Sequence, residues 1–366
     1  MRNIIHICYF ASNYPGNFIA CLSKLTLASS QDHEIYFLFP EKARGQEWLS
    51  MLLVPEDHLF FCEFSPEGLR ARCKELTKIL APKETISHTH FLDFMHLRAV
   101  KSVFKHNVCH YHMAAPLADT PKRKLRKLIS NAIYRGSVII GVSEPVTKGL
   151  RSYFPSRVCE CITNAVDFDR LDTYVGGAST VVEKGPYEYV LLIHGSDFMR
   201  KGVDLAIRAV EQINAEHGIR CTLLITANPK DVAEGLAAQY PHEHAEVRVI
   251  GVVREIKDVY DSIDVFISPS RSEAFAYAVA ETAYCQCQVI ASDVPGQNTM
   301  KDIPGILWVE SDNVQSLVDA ILQSVERKNN GEAEKIKVGQ RKYVREHYGV
   351  DLWVQKNLDV YKKYFS

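Results

Sequence analysis

The sequence predicts an α/β protein of two parallel-sheet domains, and three observations carry that expectation. Short apolar runs alternate with amphipathic stretches along most of the chain, the alternation is interrupted once near the middle, and 366 residues exceed one comfortable core.

In the first set, strands are expected at Ile4–Phe10, Ile35–Phe39, Leu59–Phe61, Thr85–His88, Val108–Tyr111 and Ser137–Val142. Helices are expected between them at Phe18–Ala28, Gly45–Leu53, Gly68–Leu80, Asp93–Phe104 and Lys122–Tyr134, where the apolar pattern is amphipathic. Strands that alternate with helices pair in parallel, with helices covering both faces of the sheet. Gly176, Gly177, Gly185 and Pro186 break the pattern over Asp172–Tyr187 and mark a boundary. A second set opens at Tyr189–Ile193 and continues through Cys221–Thr226, Val247–Ile250, Val265–Ile267, Val289–Ala291 and Gly305–Val309. The expected architecture is two Rossmann-like domains facing across a cleft, residues 1–170 and 171–349, with a final aromatic-rich helix over Asp351–Phe365.

Composition narrows the function classes. A net charge of −1 gives no global pull toward nucleic acid, and 46% apolar residues supply ample core. The ten cysteines form no paired framework and several sit in apolar runs, so they read as reduced thiols of a cytoplasmic protein. Cys159-Glu-Cys161 and Cys285-Gln-Cys287 are too closely spaced for zinc knuckles. His88-Thr-His90 and His110-Tyr-His112 each put two imidazoles on one strand face, an arrangement open to a metal, although none is expected. No run approaches the eighteen apolar residues of a membrane span, and Met1–Phe10 reads as a first strand rather than a leader.

Two stretches carry chemistry. The first is Ser268-Pro-Ser-Arg-Ser-Glu-Ala-Phe-Ala-Tyr-Ala-Val-Ala-Glu281, between the strands at Val265–Ile267 and Val289–Ala291. Ligands of parallel sheets lie at the carboxyl ends of strands, where Arg271, Ser272 and Glu273 emerge. Glu281 follows two helical turns on, flanked by Val279, Ala280, Ala283 and Tyr284, so its carboxylate needs a partner. The second is His194-Gly-Ser-Asp-Phe-Met-Arg-Lys-Gly202, a strand-to-helix loop whose Arg200 and Lys201 lie between Gly195 and Gly202. A planar fork beside a point charge suits a diphosphate.

These residues resemble the Glu-x7-Glu signature of retaining glycosyltransferases of the GT-B fold, family 4 (glycosyl transferases group 1). Pro269, Ser270, Glu273, Phe275, Glu281, Val289 and Ile290 match its pattern, while Ala276 and Gln286 stand at glycines and Gln288 at a proline. The 194–202 loop is similar to that of the family's lipopolysaccharide-core and capsule members, and Ser143-Glu144 and Asn164-Ala-Val-Asp167 resemble further landmarks. The resemblance implies that Arg200 and Lys201 grip the donor pyrophosphate, Glu273 takes sugar hydroxyls and Glu281 the ribose. It also implies that Gly16, Gly195, Phe275 and Ala276 line the donor site and that His112, at a strand end, contacts the donor sugar. Gly16, in Asn13-Tyr-Pro-Gly-Asn17, stands where the family has two adjacent glycines. In the resembling fold the last helix, 350–366, packs back on the first domain.

The implied activity is metal-independent retaining transfer from a nucleotide-diphosphate sugar, a UDP-sugar foremost, to a glycan or lipid-linked acceptor in cell-surface polysaccharide synthesis. No cofactor is expected. The basic amphipathic stretch Lys122–Arg135 offers a peripheral contact at the inner face of the plasma membrane, a solvated helix face being the competing reading. Two alternatives remain: a catalytically weak scaffold subunit, favoured by the missing Gly and Pro residues, and a sugar-nucleotide epimerase of the same shape, which needs first-domain carboxylates.

Overall fold

The computed structural model describes residues 3–114, 116, 119–173, 188–251, 253 and 256–365. Gly176, Gly177, Gly185 and Pro186, the boundary markers, lie outside the described residues. The chain divides into two compact units, Met1–Asp167 with Val350–Ser366, and Phe168–Gly349.

The first unit is built on a seven-stranded sheet of β1 (Asn3–Cys8), β2 (Ile35–Pro40), β3 (Leu59–Cys62), β4 (Thr85–His90), β5 (His106–Tyr111), β6 (Ser137–Gly141) and β7 (Val158–Cys161). The strands run parallel in the order β3-β2-β1-β4-β5-β6-β7. β7 has no counterpart among the expected strands. It is a four-residue edge strand with no fully buried position, so it shows no apolar run. Gly45–Leu53, expected as a helix, is a 3-10 segment at Glu47–Leu52 that stops where Leu53 turns left-handed at φ 57°. The Val350–Phe365 helix buries Trp353, Val360, Tyr361 and Phe365 in the same core as Ile4, Leu22 and Phe37.

The second unit holds six parallel strands: β8 (Glu188–His194), β9 (Arg220–Thr226), β10 (Glu246–Ile250), β11 (Val265–Ser268), β12 (Gln288–Ser292) and β13 (Leu307–Val309). Their order is β10-β9-β8-β11-β12-β13. The Val203–Glu216 helix covers the sheet, packing Val203, Ala206, Val210 and Ile213 against Leu191, Leu223 and Ile267. The two-sheet α/β expectation therefore holds. The strand order reverses at β1/β4 in the first unit and at β8/β11 in the second. At such a switch the loops leaving adjacent strands diverge and leave a crevice at the carboxyl edge.

Candidate active site

In the second unit the two singled-out stretches are the loops that leave β8 and β11, on either side of the switch point. The loop after β8 ends in the short helix Phe198–Lys201, which Gly202 terminates at φ 72°. A Cβ on Gly202 would lie 2.2 Å from the Pro269 carbonyl oxygen, so a side chain there would push the two loops apart. A Cβ on Gly195 would meet Ile225 at 2.6 Å, which records how closely this loop lies on β9. The Arg271 amide donates to the Arg200 carbonyl at 2.8 Å and ties the loops together.

That closeness gathers three residues expected to act on one donor. Lys201 Nζ donates to Glu273 Oε1 at 2.6 Å, and Arg200 Nη1 lies 3.2 Å from the same oxygen. Ser270 Oγ donates to Glu273 at 3.2 Å, Arg200 Nε to Asp197 at 2.6 Å and Arg200 Nη1 to the Ser272 carbonyl at 3.0 Å. Glu273 is nearly buried at 8% side-chain exposure, whereas Arg200 keeps 39%. A carboxylate with little water is thus neutralised by two cations that still face solvent, an arrangement able to exchange one anionic partner for another.

Arg271 emerges beside them but is already engaged. Its guanidinium makes a fork to Asp204 at 2.7 and 2.8 Å, and Asp204 is 3% exposed. It braces the loop against the Val203–Glu216 helix. Beneath the loop, Gln297 Nε2 donates to the Ser268 carbonyl at 3.1 Å and Ser292 Oγ to Gln297 Oε1 at 2.7 Å, so the turn rests on a buried polar network. Phe275 is buried, its ring 4.9 Å from Tyr277 and 6.0 Å from Tyr348. Ala276, at a family glycine, has φ −93°, which any residue tolerates. Gln286, at the next, is left-handed at φ 62°, so there the departure carries strain.

Glu281 lies on the Tyr277–Tyr284 helix among Val279, Ala280 and Ala283, as its flanks predict. Its partners come from elsewhere in the unit: Arg170 forms an ion pair with it, and Tyr260 Oη donates to it at 3.2 Å. Tyr260 in turn meets His194 Nε2 at 3.0 Å, and His194 Nδ1 meets Thr226 Oγ1 at 2.5 Å. Burial and, secondarily, the Lys201 cation push the His194 pKa down to about 3, so the ring is neutral and passes hydrogen bonds without charge. Arg170, Tyr260, Asp204 and Gln297 were not singled out from the sequence. Only Arg170 had a signal, in following Asn164-Ala-Val-Asp167 by three residues.

Gly16 and His112 belong to the first unit. Gly16 opens the Gly16–Ser29 helix at φ 55°, and a Cβ there would meet nothing within 4 Å, so the turn after β1 is open to a ligand's close approach. His112 follows β5 and lines a cavity of about 390 Å³ with Phe91, Phe94, Met113, Arg123 and Arg126.

Strand register turns the two His-x-His pairs into a larger cluster. His6 on β1 pairs with His88 on β4, and His90 on β4 with His110 on β5, all with side chains on one face. Burial, with mutual repulsion for several of them, holds all five pKa values down, to about 3 for His6 and His112. Two triads, His6–His88–His90 and His90–His110–His112, bring their nitrogens within 4.8 Å of one another. The fit to a metal is poor. Neighbouring rings spend these nitrogens on one another, His90 Nδ1 facing His112 Nε2 at 3.1 Å and His6 Nδ1 facing His90 Nε2 at 3.2 Å, so they do not converge on one empty point.

Residues 188–327 match the family described as Glycosyl transferases group 1. A Methanocaldococcus jannaschii protein described as an uncharacterized glycosyltransferase is 28% identical over 181 residues. That match spans 48% of this chain and 45% of the relative, less than half the relative's length. Among solved structures, a glycosyltransferase of Rickettsia africae superposes with a TM-score of 0.79 at 18% identity, covering 100% of this chain and 99% of that one. The sucrose-phosphate synthase of Thermosynechococcus elongatus gives 0.76 at 17% identity over 100% and 99%. Anabaena Alr3699/HepE in complex with UDP gives 0.73 at 13% identity over 99% and 100%. The chain therefore has the two-domain fold of GT-B glycosyltransferase structures, and its residues 188–327 match the Glycosyl transferases group 1 family.

Proposed function

We propose that this protein is a retaining, metal-independent glycosyltransferase of family 4, moving a sugar from a UDP-sugar to a glycan or lipid-linked acceptor in cell-surface polysaccharide synthesis. The observation that carries the reading is the Arg200–Lys201–Glu273 cluster at the β8/β11 switch point. A uridine diphosphate donor is supported by Anabaena HepE, solved with UDP.

On this reading the donor diphosphate replaces Glu273 as the partner of Arg200 and Lys201. Their hydrogen bonds strengthen as charge grows on the departing phosphate, and each charge-assisted bond contributes about 1.5–3 kcal/mol. Glu273, released, accepts from sugar hydroxyls. Glu281 exchanges Arg170 for the ribose hydroxyls, and Gly195, Phe275 and Ala276 shape the remaining donor wall of the second unit. The acceptor hydroxyl attacks the anomeric carbon from the leaving-group face. The new C–O bond forms as the bond to phosphate breaks, and the hydroxyl proton passes to the departing phosphate oxygen.

The Pro121–Ile133 helix supports contact with an anionic lipid surface: Lys122, Arg123, Lys124, Arg126 and Lys127 accompany Leu125 and Leu128, which are 59% and 70% exposed. No helix among the described residues is long and apolar enough to cross a membrane.

The test is release of UDP, GDP or ADP from the matching sugar nucleotides by the wild type, Lys201→Ala and Glu273→Gln. One base is expected to turn over, and both variants to lose at least about 100-fold in kcat. Equal turnover by Lys201→Ala would overturn the assignment.

A further inference from the structure

His112 is not held alone. Its Nε2 lies 3.1 Å from His90 Nδ1, and His90 Nε2 lies 3.2 Å from His6 Nδ1. The three rings form a hydrogen-bonded row from the middle of the sheet to the cavity, and apolar rings wall it: Phe18 meets His90 and His112 edge-on, and Phe91 stacks on His112 at 4.2 Å. A second row, from Tyr361 Oη to His88 Nδ1 at 2.6 Å and from His88 Nε2 to His110 Nδ1 at 3.3 Å, runs beside it.

A neutral imidazole has one N–H and one bare nitrogen. In a row of them each N–H must face the next bare nitrogen, so all members share one polarity. Reversing one ring alone sets two protons, or two lone pairs, against each other in a largely buried site, where the loss is costly. The row can take either of two concerted polarities, so the tautomer of the last ring is set jointly with rings that never reach the cavity.

We propose that His90, backed by His6, is a positioning residue that fixes the tautomer of His112 and leaves His112 Nδ1 as the nitrogen offered to the ligand. The role in transfer rests on the glycosyltransferase reading, but the tautomer itself does not. The row thus gives His112 a definite hydrogen-bonding identity toward a substrate hydroxyl without using a charge, which the apolar surroundings would penalise.

The test uses the full chain with ¹⁵N-labelled histidine, recording long-range ¹H–¹⁵N spectra at pH 7, with His112→Gln to assign the resonance. The wild type is expected to show His112 in a single neutral tautomer. His90→Phe, of similar shape, should leave His88 and His110 unchanged while the His112 nitrogens shift toward a mixture. In the transfer assay the same variant should lose roughly 10–100-fold in kcat with little change in donor KM. If His90→Phe does not fold, His6→Phe, two rings from the cavity, carries the same expectation.

A mixture already present in the wild type, or an unchanged His112 tautomer in the variant, overturns the proposal. So does a joint shift of the His90, His110 and His112 resonances with one equivalent of Zn²⁺, which would make the cluster a metal site. A tautomer change without any activity under all donors would leave the row standing and count against the glycosyltransferase reading instead.

Discussion

Lowering the pH from 7 to 5.5 is expected to destabilise the first unit far more than the second. The five clustered histidines of the first unit all have pKa values held down by burial, to about 3 where a value is given, against 6.5 in the unfolded chain. The folded pKa lies below the unfolded one, so below pH 6.5 the unfolded chain takes up protons that the folded chain refuses. Stability is therefore complete above about pH 6.5 and is lost as the pH falls toward 3. Between pH 7 and 5.5 each such group costs about 1 kcal/mol, and five cost on the order of 5 kcal/mol. That is comparable with the whole stability of an ordinary domain, about 5–15 kcal/mol.

Among the described histidines of the second unit only His194 is shifted down, and the exposed His244 is shifted up by Glu211, which acts in the opposite sense. Hydrogen exchange read by mass spectrometry separates the two units. Peptides from β4 and β5 should lose protection at pH 5.5, after correction for intrinsic exchange, while those from β8 and β9 keep most of theirs. Equal loss in both units, or unchanged protection in β4 and β5, would refute the reasoning.

Two further outcomes follow from particular contacts. Gln286→Gly should stabilise the second unit by about 0.5–1 kcal/mol, because relief of the left-handed strain at φ 62° exceeds glycine's greater unfolded-state entropy; chemical denaturation reads it as a higher midpoint. Arg271→Ala should cost about 3–5 kcal/mol by leaving the buried Asp204 carboxylate without its fork, whereas Lys201→Ala, at a partly exposed site, should change the melting temperature little while ending turnover; matched melts of the two variants test the division of roles.

Much of the candidate site is local and hence legible in sequence. Strand, glycine-bounded loop and helix are contiguous, so Arg200–Lys201 and Glu273 could be put at carboxyl strand ends from periodicity and turn residues. The weakest expectation was Arg271 as a ligand-facing group. Nothing local distinguishes it from Arg200, and only the approach of Asp204, 67 positions away, takes it out of service. The pairing of Arg170 with Glu281, 111 positions away, was out of reach for the same reason.

The sequence by itself determined two alternating α/β sets, the carboxyl-edge loops and the apolar setting of Glu281, because hydrophobic period, turn chemistry and helix spacing act over a few residues. Only the tertiary structure decided which charges are partners and which face solvent. It also decided that His6, His88, His90 and His110 share one face of three neighbouring strands, with His112 just beyond the end of β5, since parallel register joins segments that sequence order keeps 20 to 80 or more positions apart. Burial, itself a product of that packing, then keeps the five rings neutral.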